Sequence, residues 1–305
     1  MGLPVFTHAA CLAHDTGPTH AESPMRLATV TARLRAAYPG LEWRDAPRAT
    51  RGQLLRVHAE CLLHAVLETR PDAPMWLDPD TVLSPGSAEA GLRAAGAVVA
   101  AVDLVLSGEA PRAFCAVRPP GHHATSDVAM GFCLFNSIAV GAAHALEKYG
   151  LSRVVVADFD VHHGNGTQAI FDREPRVLFA SSHQMPLYPD SGHASDRGVG
   201  NVFNAPLAPG SDGAAFRRAW AERLLPQVDA FRPQLVMISA GFDAHRLDPL
   251  AQCAVEAEDY AWITGELAAI ANRHAEGRIV SSLEGGYDML GLGDSCVAHV
   301  GALMA

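Results

Sequence analysis

Short runs of almost wholly apolar residues, each emptying into a polar, glycine-rich segment, constrain this chain most. They lie at 113–117 (AFCAV), 153–159 (RVVVADF), 234–240 (QLVMISA) and 278–283 (RIVSSL), with a further apolar run at 176–181 (RVLFAS). A strand with one wet face alternates apolar and polar residues, so runs without alternation belong to strands covered on both faces. Between them the apolar residues recur at helical spacing. Helices are expected over 26–38, 52–67, 87–106, 136–149, 213–231 and 256–274. Buried strands alternating with helices specify an α/β fold with a mainly parallel sheet between helical layers. No linker, repeat or low-complexity tract divides the sequence, so residues 1–305 are expected to form one domain.

In such sheets ligands gather beyond the carboxyl ends of the strands. Here those ends read RPPGHHA, DVHHGNG, GFDAHRLDP and EGGYD. Each carries His, Asp or Tyr, so the topology would bring them to one place. In 158–163 the two-residue period of a strand puts Asp158, Asp160 and His162 on one side and Phe159 and Val161 on the other. Carboxylate oxygen and imidazole nitrogen both suit a divalent transition metal. Asp243, after a different run, is the best third ligand, and three protein ligands leave a position open for water and substrate.

His122 and His123 follow two prolines that restrict the path of their loop. Each imidazole needs a carboxylate or amide to fix its tautomer, and Asp158 and Asn165 are the candidates. Gly285 and Gly286 permit a tight turn that aims Tyr287 inward, where a phenol can donate to an oxyanion.

Composition excludes other classes. The formal net charge is −10, which disfavours nucleic-acid binding by charge alone. No stretch resembles a membrane span, and the amino-terminal MGLPVF lacks the marks of a signal peptide or of a myristoylation site. The six cysteines are scattered without a CxxC pair, as in a reduced cytoplasmic protein.

The ordered set HAESPMRL, RPPGHHA, GFCLFN, DFDVHHGNGTQ, SAGFDAHRLDP and EGGYD resembles the zinc-dependent histone deacetylase family, most closely its class II-like and bacterial amidohydrolase branch. The resemblance covers nearly the whole chain. It implies the arginase–deacetylase fold, with an eight-stranded sheet, and hydrolysis of acylated, chiefly acetylated, lysine side chains or related acylated amines. It further implies that Asp160, His162 and Asp243 bind one zinc ion. His123 would be general base and acid, with His122 as its electrostatic partner, Asp158 supporting His122 and Asn165 supporting His123. Many relatives have Asp at that last position, so the amide should make His123 less basic. Tyr287 would polarise the acyl carbonyl. Phe132 and Tyr188 would wall the acyl-lysine tunnel, Gly131 would line it, and Asp80 would hold the substrate backbone at the rim. A structural potassium ion is expected near Asp158, Asp160 and His162, with the hydroxyl of Ser181.

Three other readings compete. An arginase-like dimanganese hydrolase would need a further carboxylate where this chain has His245. An acetylpolyamine hydrolase of the eukaryotic kind would place an acid at Leu250. A silent scaffold would have lost a ligand or the tyrosine, and this chain retains them all.

Overall fold

In the computed structural model, which describes residues 2–305, every run expected to be a strand is one. The strands are β1 (Pro4–Thr7), β2 (Glu42–Asp45), β3 (Met75–Trp76), β4 (Val82–Leu83), β5 (Arg112–Cys115), β6 (Val154–Asp158), β7 (Val177–Gln184), β8 (Val202–Leu207), β9 (Leu235–Ala240) and β10 (Ile279–Leu283). Eight of them form one sheet in the order β2-β1-β5-β10-β9-β6-β7-β8, and every neighbouring pair is parallel. β3 and β4 make a separate antiparallel hairpin. The MGLPVF reading rests partly on Met1, which lies outside the described residues. Among the described residues no helix is long and apolar enough to cross a membrane.

The helices are α1 (Pro24–Ala37), α2 (Arg51–Leu54), α3 (Glu60–Leu63), α4 (Ser87–Leu106), α5 (Ser137–Tyr149), α6 (Asn165–Phe171), α7 (Gly213–Ala219), α8 (Leu225–Phe231), α9 (Ala257–His274) and α10 (Met289–Met304). Those that pack as layers cover the central strands: α4, α5 and α6 lie on one face, and α1, α7, α8, α9 and α10 on the other. The central strands are buried along their whole length, which is why they carry Val, Ile and Ala without alternation. Asn136 caps α5 by accepting from Ala139 N (3.1 Å), and Gly150 ends it in the left-handed region.

Two expectations need correction. The segment 52–67 is not one helix. It breaks after Leu54, because Ala59 N donates to Ser126 O (2.7 Å) and the His58 side chain turns inward to bond the loop before α5. Helical periodicity persists across such a break because both halves face the same core. Likewise β6 ends at Asp158, so Asp160 and His162 converge through a bend rather than through strand alternation. Sequence reading also missed β1, β2 and β8. They flank the central strands; β1 and β2 have only four residues each, and β8 is interrupted by Asn204 and by Pro206, which an edge strand tolerates.

His58 gives the fold a pH signature. Its Nδ1–H donates to Thr125 O (2.9 Å), and its Nε2 accepts from Asn136 N (2.9 Å). Burial pushes its pKa down to about 4. A depressed folded pKa means that the stabilisation is complete above the unfolded value of about 6.5 and is lost as pH falls through about 4. In urea unfolding between pH 7 and pH 4, the wild-type protein is expected to lose up to about 3 kcal/mol more than a His58→Gln variant. Parallel slopes for the two proteins would remove His58 from the account.

Candidate active site

Parallel register aligns the carboxyl ends of the central strands. Ser181 on β7 pairs with Asp158 on β6, Asp158 with Ser239 on β9, and Ser239 with Ser282 on β10. The loops leaving these strands, with the loop after β5, supply the site. Asp160, His162 and Asp243 offer ligand atoms within 4.8 Å of one another, and all three residues are buried. His162 Nδ1 lies 3.2 Å from Asp160 Oδ1 and 3.1 Å from Asp243 Oδ2, though one N–H can fully serve only one of them.

The electrostatics of this cluster call for positive charge. Burial works against a charged His162, yet the two carboxylates facing it lift its pKa to about 10. Two dry carboxylates and an imidazole converging without Lys or Arg among them suit a divalent cation. Backbone amides orient the carboxylates: Val161 N donates to Asp243 Oδ1 (2.8 Å), His162 N to Asp160 Oδ1 (2.9 Å) and Gly285 N to Asp160 Oδ2 (2.8 Å). That last contact explains the glycine. A Cβ on residue 285 would lie 2.1 Å from Asp243 Oδ2 and 2.6 Å from Asp160 Oδ2.

The two histidines of RPPGHHA stand beside the cluster with ring centroids 4.0 Å apart. His122 Nδ1 meets Asp158 Oδ2 at 3.0 Å. Burial disfavours its charge, but Asp160 and Asp158 outweigh burial and raise its pKa. His123 Nδ1 meets Asn165 Oδ1 at 2.7 Å; an amide oxygen accepts only, so Nδ1 carries the proton. Burial first, then the neighbouring His122 and His162, hold the His123 imidazole well below its ordinary range. The pair therefore divides, with His122 cationic and His123 neutral with a free Nε2.

Above the cluster opens a cavity of about 240 Å³, lined by Asp80, His123, Gly131, Phe132, His162, Leu187, Tyr188, Leu250 and Tyr287. It thus joins the expected wall residues to the chemistry, along with Leu187, which sequence reading did not single out. Tyr188 packs edge-on to His123 (5.2 Å), and Phe132 packs edge-on to Tyr287 (5.7 Å). Burial pushes the Tyr287 phenol well above its usual range and keeps it a donor. Gly131 (φ 58°) and Phe132 (φ 68°) are both left-handed, and a Cβ at 131 would strike the His123 ring at 2.4 Å. Asp80 is tied into the rim: its Oδ1 accepts from Gly131 N (3.0 Å) and Thr81 Oγ1 (2.8 Å). Ser181 Oγ bonds His183 Nδ1 (2.9 Å). His245 turns away from the cluster, accepting from Leu247 N (3.2 Å) and facing Glu256. Among the described residues one cluster able to hold a metal ion is found.

Sequence reading missed the supports. Glu22 is fully buried and accepts from Arg26 (3.0 Å) and twice from Arg118 (2.7 Å each). Arg26 in turn donates to Gly286 O (2.6 Å) and to Glu284 O, and lies over the Tyr287 ring at 4.8 Å. Asp248 Oδ2 accepts from Tyr287 N (2.7 Å). Charged residues inside HAESPMRL and RPPGHHA were the available signal, since Glu and Arg seldom enter a core unless paired.

Comparison with known proteins places this geometry. Residues 20–303 match the histone deacetylase domain family. A histone deacetylase-like amidohydrolase of Pseudomonas aeruginosa is 40% identical, over 92% of this chain and 80% of its own. A probable deacetylase of Archaeoglobus fulgidus is 37% identical, over 94% of this chain and 82% of its own. The crystal structure of the HDA15 HD domain superposes with a TM-score of 0.93 at 34% identity, covering 100% of this chain and 90% of that one.

Gly285→Ala is expected to weaken divalent-metal binding at least about ten-fold, because the added methyl displaces Asp160 and Asp243. Isothermal titration of metal-free protein measures this, and an unchanged affinity would contradict the assigned ligand set.

Proposed function

Because the chain belongs to the histone deacetylase family, we propose that it hydrolyses the amide of acylated lysine side chains, chiefly acetyl-lysine, using one zinc ion held by Asp160, His162 and Asp243. The observation that carries this reading is the His123 tautomer. With Nδ1–H donated to Asn165, Nε2 is left as a base in the cavity that His162 and Tyr287 share. A zinc ion in this cluster supplies Lewis-acid polarisation and lowers the pKa of water.

The protein's own groups do the rest. His123 Nε2 takes the proton of the attacking water. The Tyr287 hydroxyl donates to the acyl oxygen as negative charge gathers there. His123 then returns the proton to the departing amine, and acetate and free amine leave. His122, charged against Asp158, stabilises the proton-transfer geometry without exchanging its own proton. Phe132 and Tyr188 hold the aliphatic stem, and a cavity of about 240 Å³ accommodates a short acyl chain on a lysine. The same proposal extends to a structural potassium ion beside Asp158, Asp160 and His162, with Ser181 as its side-chain ligand. The six unpaired cysteines fit a reducing, cytoplasmic setting.

Tyr287→Phe is expected to lower kcat on a fluorogenic acetyl-lysine peptide by about 10²-fold or more, as for loss of an oxyanion donor. A parallel panel of acetyl-lysine peptides, acetylpolyamines and longer acyl-lysines, with metal content assayed, decides the substrate. Acetylpolyamine turnover alone would replace the lysine reading, and two manganese ions per chain would replace the zinc reading.

A further inference from the structure

Each residue of one turn, Glu284–Tyr287, bonds a different part of the site or of its supports. Gly285 N holds Asp160, Gly286 O is held by Arg26, and Tyr287 N is held by Asp248. The remaining link is the Glu284 carboxylate, to which neither the chemistry above nor the sequence motifs assign a role. It is 1% exposed. Its Oε2 accepts from both Gly121 N (2.6 Å) and His122 N (3.1 Å), while its Oε1 is buried without a partner.

Local chemistry explains why the contact falls there. Pro119 and Pro120 have no N–H, so Gly121 and His122 supply the first amides after them, and successive amides favour an anionic or carbonyl acceptor. From the other side the loop is closed off by α5: a Cβ on Gly121 would lie 2.7 Å from Ser137 N and 2.9 Å from Phe135 O. The loop that presents His122 and His123 is therefore held at the α5 start and by Thr167 N of α6, which donates to His122 O (3.1 Å), while Glu284 Oε2 accepts the Gly121 and His122 amides from the Tyr287 turn. We propose that Glu284 is a positioning residue that sets the His122–His123 pair against the Tyr287 turn through that one oxygen, by geometry rather than by charge.

Two features favour geometry over charge. Both amides use the same oxygen, so the other is free to be replaced. Burial also pushes the Glu284 carboxyl up to about 7, so a formal charge is not firmly held there. Glutamine presents one carbonyl oxygen at the same reach and puts its amide nitrogen where Oε1 now has no partner. It should preserve the grip, whereas alanine removes it. Displacements of about 1 Å cost on the order of 10²-fold in rate when a proton-transfer group must meet its target.

The test compares metal-loaded wild-type, Glu284→Gln and Glu284→Ala proteins by steady-state kinetics on an acetyl-lysine peptide and by hydrogen exchange over residues 119–124. For Glu284→Ala the expectation is a kcat lower by about ten-fold or more, KM within about two-fold, and exchange at residues 121–122 faster by about ten-fold. Glu284→Gln should stay within about three-fold of wild type in all three. Should the alanine variant not fold, Glu284→Asp, which withdraws the oxygen by one methylene, takes its place with the same expectation. A glutamine variant as impaired as alanine would overturn the proposal in favour of charge, and an alanine variant like wild type would overturn it outright. The kinetic arm rests on the deacylase reading; the exchange arm does not. If the wild-type protein hydrolysed no acylated amine, that reading would fail while exchange still decided the role of Glu284.

Discussion

Asp158, Asp160, Asp243 and Glu284 all lie in the dry interior, none more than 1% exposed. Burying one charged carboxylate without compensation is costly, and drawing Asp158, Asp160 and Asp243 together adds mutual repulsion. Much of the surrounding structure can be understood as the compensation. Backbone amides of Val161, His162 and Gly285 solvate the oxygens of Asp243 and Asp160, and those of Gly121 and His122 solvate Glu284. His122 answers Asp158. What remains is a surplus of negative charge at Asp160 and Asp243, and a divalent cation would neutralise it. The strained and glycine-rich turns at the ends of the central strands are needed because only close backbone approach can bring so many N–H groups inward.

A second tier keeps that arrangement rigid. Glu22, Arg26 and Arg118 form an ion-paired core that reaches the turn carrying Tyr287 from behind. A buried ion pair contributes little net stability against a well-packed apolar alternative, yet removing one partner strands the other's charge. Its value here is registry: Arg26 has hydrogen bonds to both Glu284 O and Gly286 O, so α1 and β10 cannot slide independently.

Much of this was legible in the sequence because two periodicities did separate work. Unbroken apolar runs such as RVVVADF marked the buried strands, and their polar ends marked the site, down to Asp160, His162, Asp243, His122, His123 and Tyr287. Residues whose role depends on a distant backbone atom were illegible. Glu284, Asp248 and Glu22 act on amides or guanidinium groups supplied by other loops, and no spacing along the chain encodes such a meeting. The false helix over 52–67 has the same origin, since His58 left the helix to serve Thr125 and Asn136. Strands β1, β2 and β8 escaped because position in the sheet, rather than composition, makes them strands.

The hairpin of β3 and β4 lies apart from the histidine and metal-candidate motifs, yet its tip holds one wall of the cavity. Asp80 and Thr81 accept from the amides of Gly131 and Phe132, two successive residues in the left-handed region. His20 bridges the same tip to the Phe132 ring by an edge contact at 4.8 Å, with the exposed Trp76 beside it. The width of the cavity is thus set in part by a hairpin that contributes nothing to the Asp160, His162 and Asp243 cluster or to the histidine pair. A change at the hairpin tip would reshape the cavity while leaving that cluster as it stands.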